Sequence, residues 1–121
     1  MPADAVSGGD VLRVALGRVE PSGHEQEGTR PVVVVGAPRP PLRYPVLLVV
    51  PLTTQVGSWA EANPVVYPAL RGGEAGLSAR SVALCDQMRS CDARRVRGYL
   101  GTLDGAAYAE VVRGVRQVLE L

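Results

Sequence analysis

Gly23-His24-Glu25-Gln26-Glu27-Gly28-Thr29-Arg30-Pro31-Val32-Val33-Val34-Val35 is the stretch on which the reading of the fold turns. It passes from a dense polar run to four consecutive valines. Continuous β-branched residues mark a strand buried on both faces. Pro31 pushes Arg30 into extended backbone and fixes where the chain enters that strand. The polar half belongs to a connection over 17–30 that holds three glycines and one proline. Long ordered connections in compact domains often carry function. This one gathers an imidazole, carboxylates, an amide and a guanidinium beside a rigid strand. Taken alone, the cluster also fits a solvated loop in which Arg30 pairs with Glu25 or Glu27.

Outward from this stretch the chain reads as short strands. In Val11–Leu16 the residues Val11, Arg13 and Ala15 fall on one face, and Leu12, Val14 and Leu16 on the other. Pro38, Pro40, Pro41 and Pro45 forbid regular structure before the next strand, Val46–Thr53. A loop over 56–63 around Trp59, a short strand over 65–70 and a turn over 72–76 follow. The pattern predicts a longer strand over 81–90, one helical turn over 92–97 and a last short strand over 99–103. The period then changes. Tyr108, Val111, Val112, Val115, Val118 and Leu119 recur every three or four residues, an amphipathic helix with Asp104 as its N-cap. Gly114 weakens it by roughly 1 kcal/mol relative to alanine. Several short strands closed by one helix predict a mainly β fold, a small β-barrel with the helix laid against it. Residues 1–8 read as a flexible leader and 9–121 as a single domain without repeat or linker.

Composition narrows the function classes. A chain of 121 residues buries about two-thirds of its unfolded surface and needs no disulfide or metal staple. With 46% hydrophobic residues, 21% charged residues and a net charge of +1, it is neither an acidic disordered tail nor a globally basic binder. No apolar run approaches the ~18 residues of a membrane span, so no membrane association is expected. The N-terminus lacks the basic and apolar regions of a secretory signal, so a cytoplasmic, reducing location is expected. All 13 basic residues are arginine, and isoleucine and phenylalanine are absent, as codon bias in a GC-rich genome produces. A near-neutral chain whose only such cations are guanidinium groups can still hold a local anion site.

The two cysteines are quickly bounded. On one strand over 81–91, Cys85 and Cys91 would lie ~20 Å apart, six steps of ~3.3 Å, beyond the ~7 Å reach of a disulfide. One histidine and no CxxC spacing give no metal site. A second polar cluster, Pro51-Leu52-Thr53-Thr54-Gln55, ends an apolar strand in hydroxyls and an amide. By itself it fits a strand end that satisfies its own backbone.

Together the clusters say more. Gly9-Asp10-Val11, then Gly23 to Pro31, then Pro51 to Gln55, then Ser81-Val82-Ala83-Leu84-Cys85-Asp86-Gln87-Met88-Arg89-Ser90 resemble the MazF/PemK family of toxin endoribonucleases. The GxEQxGxRP signature, TTQ and DQ(M/I/V)(R/K) occur in order from about residue 9 to the C-terminus. The segment 56–76 matches only through its strand, which leaves the cleavage motif unread. The resemblance implies an SH3-like (PemK/CcdB-like) barrel with a C-terminal helix, a homodimer, cleavage of single-stranded RNA at a short motif without metal or other cofactor, and a MazE-like antitoxin as partner. It matches the family's catalytic arginine to Arg30, its threonine to Thr53 and its glutamate to Glu25. Position 24 varies between serine and histidine in relatives, so His24 is not an obligatory base.

The residue types suit that chemistry. RNA carries its own nucleophile, the 2′-OH, which must be deprotonated while charge on the phosphorane is stabilised and the leaving 5′-oxygen is protonated. Arg30 can grip non-bridging oxygens with its planar fork. Thr53 can donate to the same phosphate, and Glu25 can act as base. His24, Gln26, Thr54, Gln55, Trp59, Gln87 and Arg89 are candidate RNA contacts, Trp59 by stacking. As ordinary structure, Trp59 would anchor its loop and Arg89 would pair with Asp86 or Asp92. Two rivals stand beside this reading: a CcdB-like poison of DNA gyrase on the same fold, and a non-catalytic SH3-like binding module.

Overall fold

The computed structural model describes residues 5–121. Its seven strands are β1 (Asp10–Ala15), β2 (Thr29–Gly36), β3 (Val46–Thr53), β4 (Ala69–Leu70), β5 (Ser81–Ala83), β6 (Arg89–Asp92) and β7 (Val96–Thr102). They pair in the order β4-β5-β3-β2-β1-β7, every pair antiparallel, with β6 also bonded to β3. The result is a strongly bent half-barrel. Helix α1 (Ser58–Ala62) sits in the connection after β3, and α2 (Gly105–Leu119) closes the chain.

The alternation along β1 divides the core as the sequence predicts. Val11 joins Val33, Val50 and Leu52 in a cluster that also takes Val111 of α2. Leu12, Val14 and Leu16 join Val32, Val34, Leu47 and Val49 on the opposite face. Arg13, of the first face, stays exposed. Burying each such valine or leucine contributes about 1.5–3 kcal/mol relative to exposure, so β1, β2 and β3 form the rigid frame. Residues 1–4 of the leader lie outside the described residues. Val6 is buried at 5% exposure in the second cluster, and Ser7 N–H donates to Asp10 Oδ2, so contact with the domain begins ahead of residue 9.

Several elements depart from the sequence expectation. The strand expected over 81–90 is broken. Leu52 faces Ala83 and Val49 faces Arg89, so three steps along β3 match six along its partner. The surplus, Cys85-Asp86-Gln87, leaves the ladder as a 3₁₀ turn. The break falls beside Pro51, which has no N–H to give the ladder; its carbonyl instead accepts from Leu84 N–H at 2.9 Å. The loop around Trp59 contains α1, and the strand expected over 65–70 shrinks to Ala69–Leu70. The last strand lengthens to Val96–Thr102, with two register shifts against β1.

Helix α2 forms as expected, with Asp104 accepting from Ala107 N–H at 2.8 Å. Val111 and Gly114 are its buried residues, while Val118 and Leu119 of the apolar stripe stay exposed. Gly114 has a packing reason. A Cβ there would lie 2.5 Å from Val65 O and 2.6 Å from Cys85 Sγ, so the glycine lets α2 settle directly onto the 3₁₀ turn.

Candidate functional site

Three pieces of backbone meet where β3 ends. The first is the end itself: Thr53 is a buried polar residue at 8% exposure, and its Oγ1 accepts from Gln55 N–H at 3.1 Å. The second is the loop between β1 and β2. Its base is closed by reciprocal bonds, Leu16 N–H to Gly28 O and Gly28 N–H to Gly17 O, both 2.9 Å. Gly17 and Gly28 make this closure at φ +78 and +79, which glycine adopts without strain. The Glu27 carboxylate accepts from Val19 N–H inside the same loop, which gives Glu27 a structural task. The third piece is the 3₁₀ turn Cys85–Gln87.

Gln87 joins turn to loop. Its Oε1 accepts from Gln26 N–H at 2.8 Å, and its Nε2 donates to His24 O at 3.3 Å. Both ends of the amide are therefore engaged by backbone 61 and 63 residues away in sequence. Sequence reasoning assigns Gln87 to RNA contact; in the structure its side chain holds the 24–26 segment in place.

A groove of about 520 Å³ opens between these pieces. His24, Gln26, Thr53, Gln55, Trp59 and Gln87 of the sequence candidates line it. Glu25 and Arg89 line a neighbouring groove of about 330 Å³, with Gln26, Asp86 and Gln87 as the shared wall. Arg30 and Thr54 line neither. Arg30 is nevertheless close in the sheet. Val32 faces Pro51 at the end of the β2–β3 ladder, and Arg30 and Thr53 each lie two residues beyond that pair on their own strands. Arg30 Nε donates to Glu27 O at 2.8 Å, which leaves the terminal amino groups of the fork without an intramolecular partner among the described residues. No ion pair forms between Arg30 and Glu25 or Glu27, nor between Arg89 and Asp86 or Asp92. The one salt bridge among the described residues is Arg94–Asp92, at 3.3 Å.

Two residues that sequence reasoning did not single out also face the groove. Tyr67 donates its hydroxyl to Asp86 Oδ2 at 2.6 Å. That hydrogen bond, followed by burial, pushes the phenol above its ordinary pKa of 10.0. Trp59 stands edge-on to Tyr67, ring centroids 4.9 Å apart and planes at 84°. The available signal for Asp86 was its place in the Asp86-Gln87 pair. Tyr67 lies in the strand expected over 65–70, in a segment whose polar residues match no motif.

Cys85 and Cys91 are free and buried, in separate core clusters. Burial, with the nearby Asp86 charge second, pushes the Cys85 thiol up to about 12. Cys91 is also raised, chiefly by burial. Neither supplies a thiolate nucleophile near neutral pH. Among the described residues no three His, Cys, Asp or Glu side chains group as metal ligands would, and no helix is long and apolar enough to cross a membrane.

Comparison with known proteins agrees with this architecture. A family model described as the PemK-like, MazF-like toxin of type II toxin–antitoxin systems matches residues 7–119. No curated protein sequence matches significantly. Among solved structures, an endoribonuclease in complex with its cognate antitoxin from a mycobacterial species superposes with TM-score 0.71 at 18% identity, covering 96% of each chain. MazF from Deinococcus radiodurans gives TM-score 0.69 at 23% identity, over 96% of this chain and 97% of that one. A MazF toxin of Mycobacterium tuberculosis gives 0.65 at 19% identity, over 91% and 96% respectively.

Proposed function

Since this chain belongs to the PemK-like, MazF-like toxin family of type II toxin–antitoxin systems, we propose that it is an endoribonuclease that cuts single-stranded RNA at a short sequence motif, without a metal ion. The observation that carries the reading is the convergence of Arg30 and Thr53. Each lies two residues beyond the Val32–Pro51 pair that ends the β2–β3 ladder, and Thr53 lines a groove with His24 and Gln26.

In this reading the 2′-OH of the substrate attacks the adjacent phosphorus, the P–O5′ bond breaks, the 5′-oxygen takes a proton from water, and a 2′,3′-cyclic phosphate remains. The terminal amino groups of Arg30 grip the non-bridging oxygens as their charge grows. The Thr53 hydroxyl donates to the same phosphate. Glu25, on the loop that Gln87 holds, takes the 2′-OH proton. His24 is a second candidate for that task, supported by its lining the same groove as Thr53, which Glu25 does not. Gln26, Thr54, Gln55 and Trp59 contact the RNA, Arg89 binds phosphate beyond the shared wall, and Gln87 acts by positioning. The protein works in the cytoplasm as a homodimer and is restrained by a MazE-like antitoxin. Two solved relatives, the mycobacterial endoribonuclease and a Deinococcus radiodurans MazF, are described in complexes with an antitoxin or MazE.

The test is incubation of purified protein with a long single-stranded RNA in excess EDTA. Defined fragments with cyclic phosphate ends are expected. Arg30→Ala should lose about 10²–10³-fold, the usual loss when a donor to transition-state charge is removed. Glu25→Gln and His24→Asn tell the two base candidates apart, because the true base alone removes the acidic limb of the pH–rate profile. Intact RNA together with inhibited gyrase supercoiling would instead indicate a gyrase poison, and inertness in both assays a binding module.

A further inference from the structure

The groove beside Thr53 is unusual for a nucleic-acid site because no arginine lines it. Its carboxylate, Asp86, repels phosphate, and the free guanidinium of Arg30 lies outside it. The corner of the groove around Asp86 therefore takes a base from an RNA strand, with the scissile phosphate kept to Thr53 and Arg30. We propose that the corner formed by Trp59, Tyr67 and Asp86 is a subsite for guanine; this rests on the RNA-cleaving reading above.

Three observations fix the choice of base. Trp59 is 42% exposed, and its indole is steadied edge-on by Tyr67, so it offers a shelf for stacking. Gly57 makes room for that ring, since a Cβ there would meet Trp59 Nε1 at 2.7 Å. Among the polar groups that line the groove, two offer acceptors with no competing partner. Asp86 accepts from Tyr67 through Oδ2, which orients the carboxylate and leaves Oδ1 and the remaining lone pairs for a ligand. Gln26 also lines the groove, and its Oε1 is buried without a partner, an acceptor left for a donor that displaces its cover. Guanine alone presents two adjacent donors, N1–H and N2–H, on its pairing edge. Adenine and cytosine present a donor next to an acceptor, and uracil a single donor between two acceptors. Each of those sets a lone pair against the carboxylate.

The experiment has two arms. In the first, cut sites on a long RNA are mapped for the wild-type protein, Asp86→Asn and Tyr67→Phe. The wild-type motif should contain guanine at one fixed position. Asp86→Asn exchanges an acceptor for a donor and should lower the preference for guanine over adenine there by about 5–150-fold, the range for one bidentate base contact. Tyr67→Phe keeps the ring against Trp59 and should shift the preference less, in the same direction. If Asp86→Asn does not fold, Tyr67→Phe carries the test. In the second arm, the fluorescence of Trp59, the chain's one tryptophan, is titrated with oligothymidylates carrying a central guanine, adenine or cytosine. These lack the 2′-OH and cannot be cleaved. Tighter binding of the guanine oligomer, lost in Asp86→Asn, is expected. A motif without guanine, or an unchanged preference in Asp86→Asn, overturns the subsite. Guanine-selective binding with no RNA cut by the wild-type protein sustains the subsite and overturns the endoribonuclease reading instead.

Discussion

Gln87 shows how a side chain can matter to a site without touching a substrate. Its amide closes two hydrogen bonds onto the backbone of Gln26 and His24, and so sets where Glu25 stands relative to Thr53. Gln87→Leu removes both bonds and should lower kcat by about 10–100-fold, since a displacement of about 1 Å is enough for such losses. KM should move far less, and the Gln26 amide hydrogen should exchange faster with solvent. Gln87→Glu keeps the acceptor toward Gln26 N–H and should recover part of the rate. An equal loss in kcat and gain in KM, with unchanged exchange at Gln26, would place Gln87 in substrate binding instead. At this scale the sequence was informative about which residues matter and less so about what they do. The Asp86-Gln87 pair and the Gly23–Pro31 run stand out in the chain, but a contact spanning 61 residues leaves no local pattern. Tyr67 was invisible because its partner, Asp86, is fixed only by the fold.

Among the elements, the break between β5 and β6 is the one on which the site depends. Residues 81–90 read as one strand because they hold no glycine or proline to mark a break, while the structure turns Cys85-Asp86-Gln87 out of the ladder. Nothing local reveals that β3 is matched three steps to six, or that Pro51 leaves the ladder short of a donor there. Val46–Thr53 was legible because it is a nearly continuous apolar run, and the structure buries both of its faces over most of its length. Gly114 illustrates the opposite case. Helix propensity alone predicts that Gly114→Ala stabilises α2 by about 1 kcal/mol. The Cβ would strike Val65 O and Cys85 Sγ, one of them backbone, so the substitution should destabilise the protein by about 1–3 kcal/mol, as overpacking does. A lower urea midpoint for Gly114→Ala than for wild type is the check; a higher one would mean that the turn yields without loss.

For the molecule as a whole, the two-faced core couples stability to alkali. The Cys85 thiol has its pKa raised from 9.0 to about 12 in the folded state, mainly by burial. In the unfolded chain it ionises near its ordinary value, so above pH 9 the unfolded state releases a proton that the native state keeps. The contribution is fully present below pH 9 and is lost as pH rises toward 12. Tyr67, Tyr108 and Cys91 are raised as well and act in the same sense. The urea midpoint should fall steadily from pH 9 upward, and the native thiols should resist a disulfide reagent at pH 8 until the protein unfolds.

The seating of α2 on the 3₁₀ turn also bears on the order of events during synthesis. The Gly23–Pro31 loop and Thr53 leave the ribosome early, Gln87 much later, and the helix that backs Cys85 last of all. Domains gain their long-range contacts only once the distant segments exist. A nascent chain that ends before residue 105 thus carries Arg30, Thr53 and Glu25 but not the element that supports the turn spacing them. The assembled groove belongs to the finished polypeptide, and a prematurely terminated product would lack that support for the loop bearing Glu25.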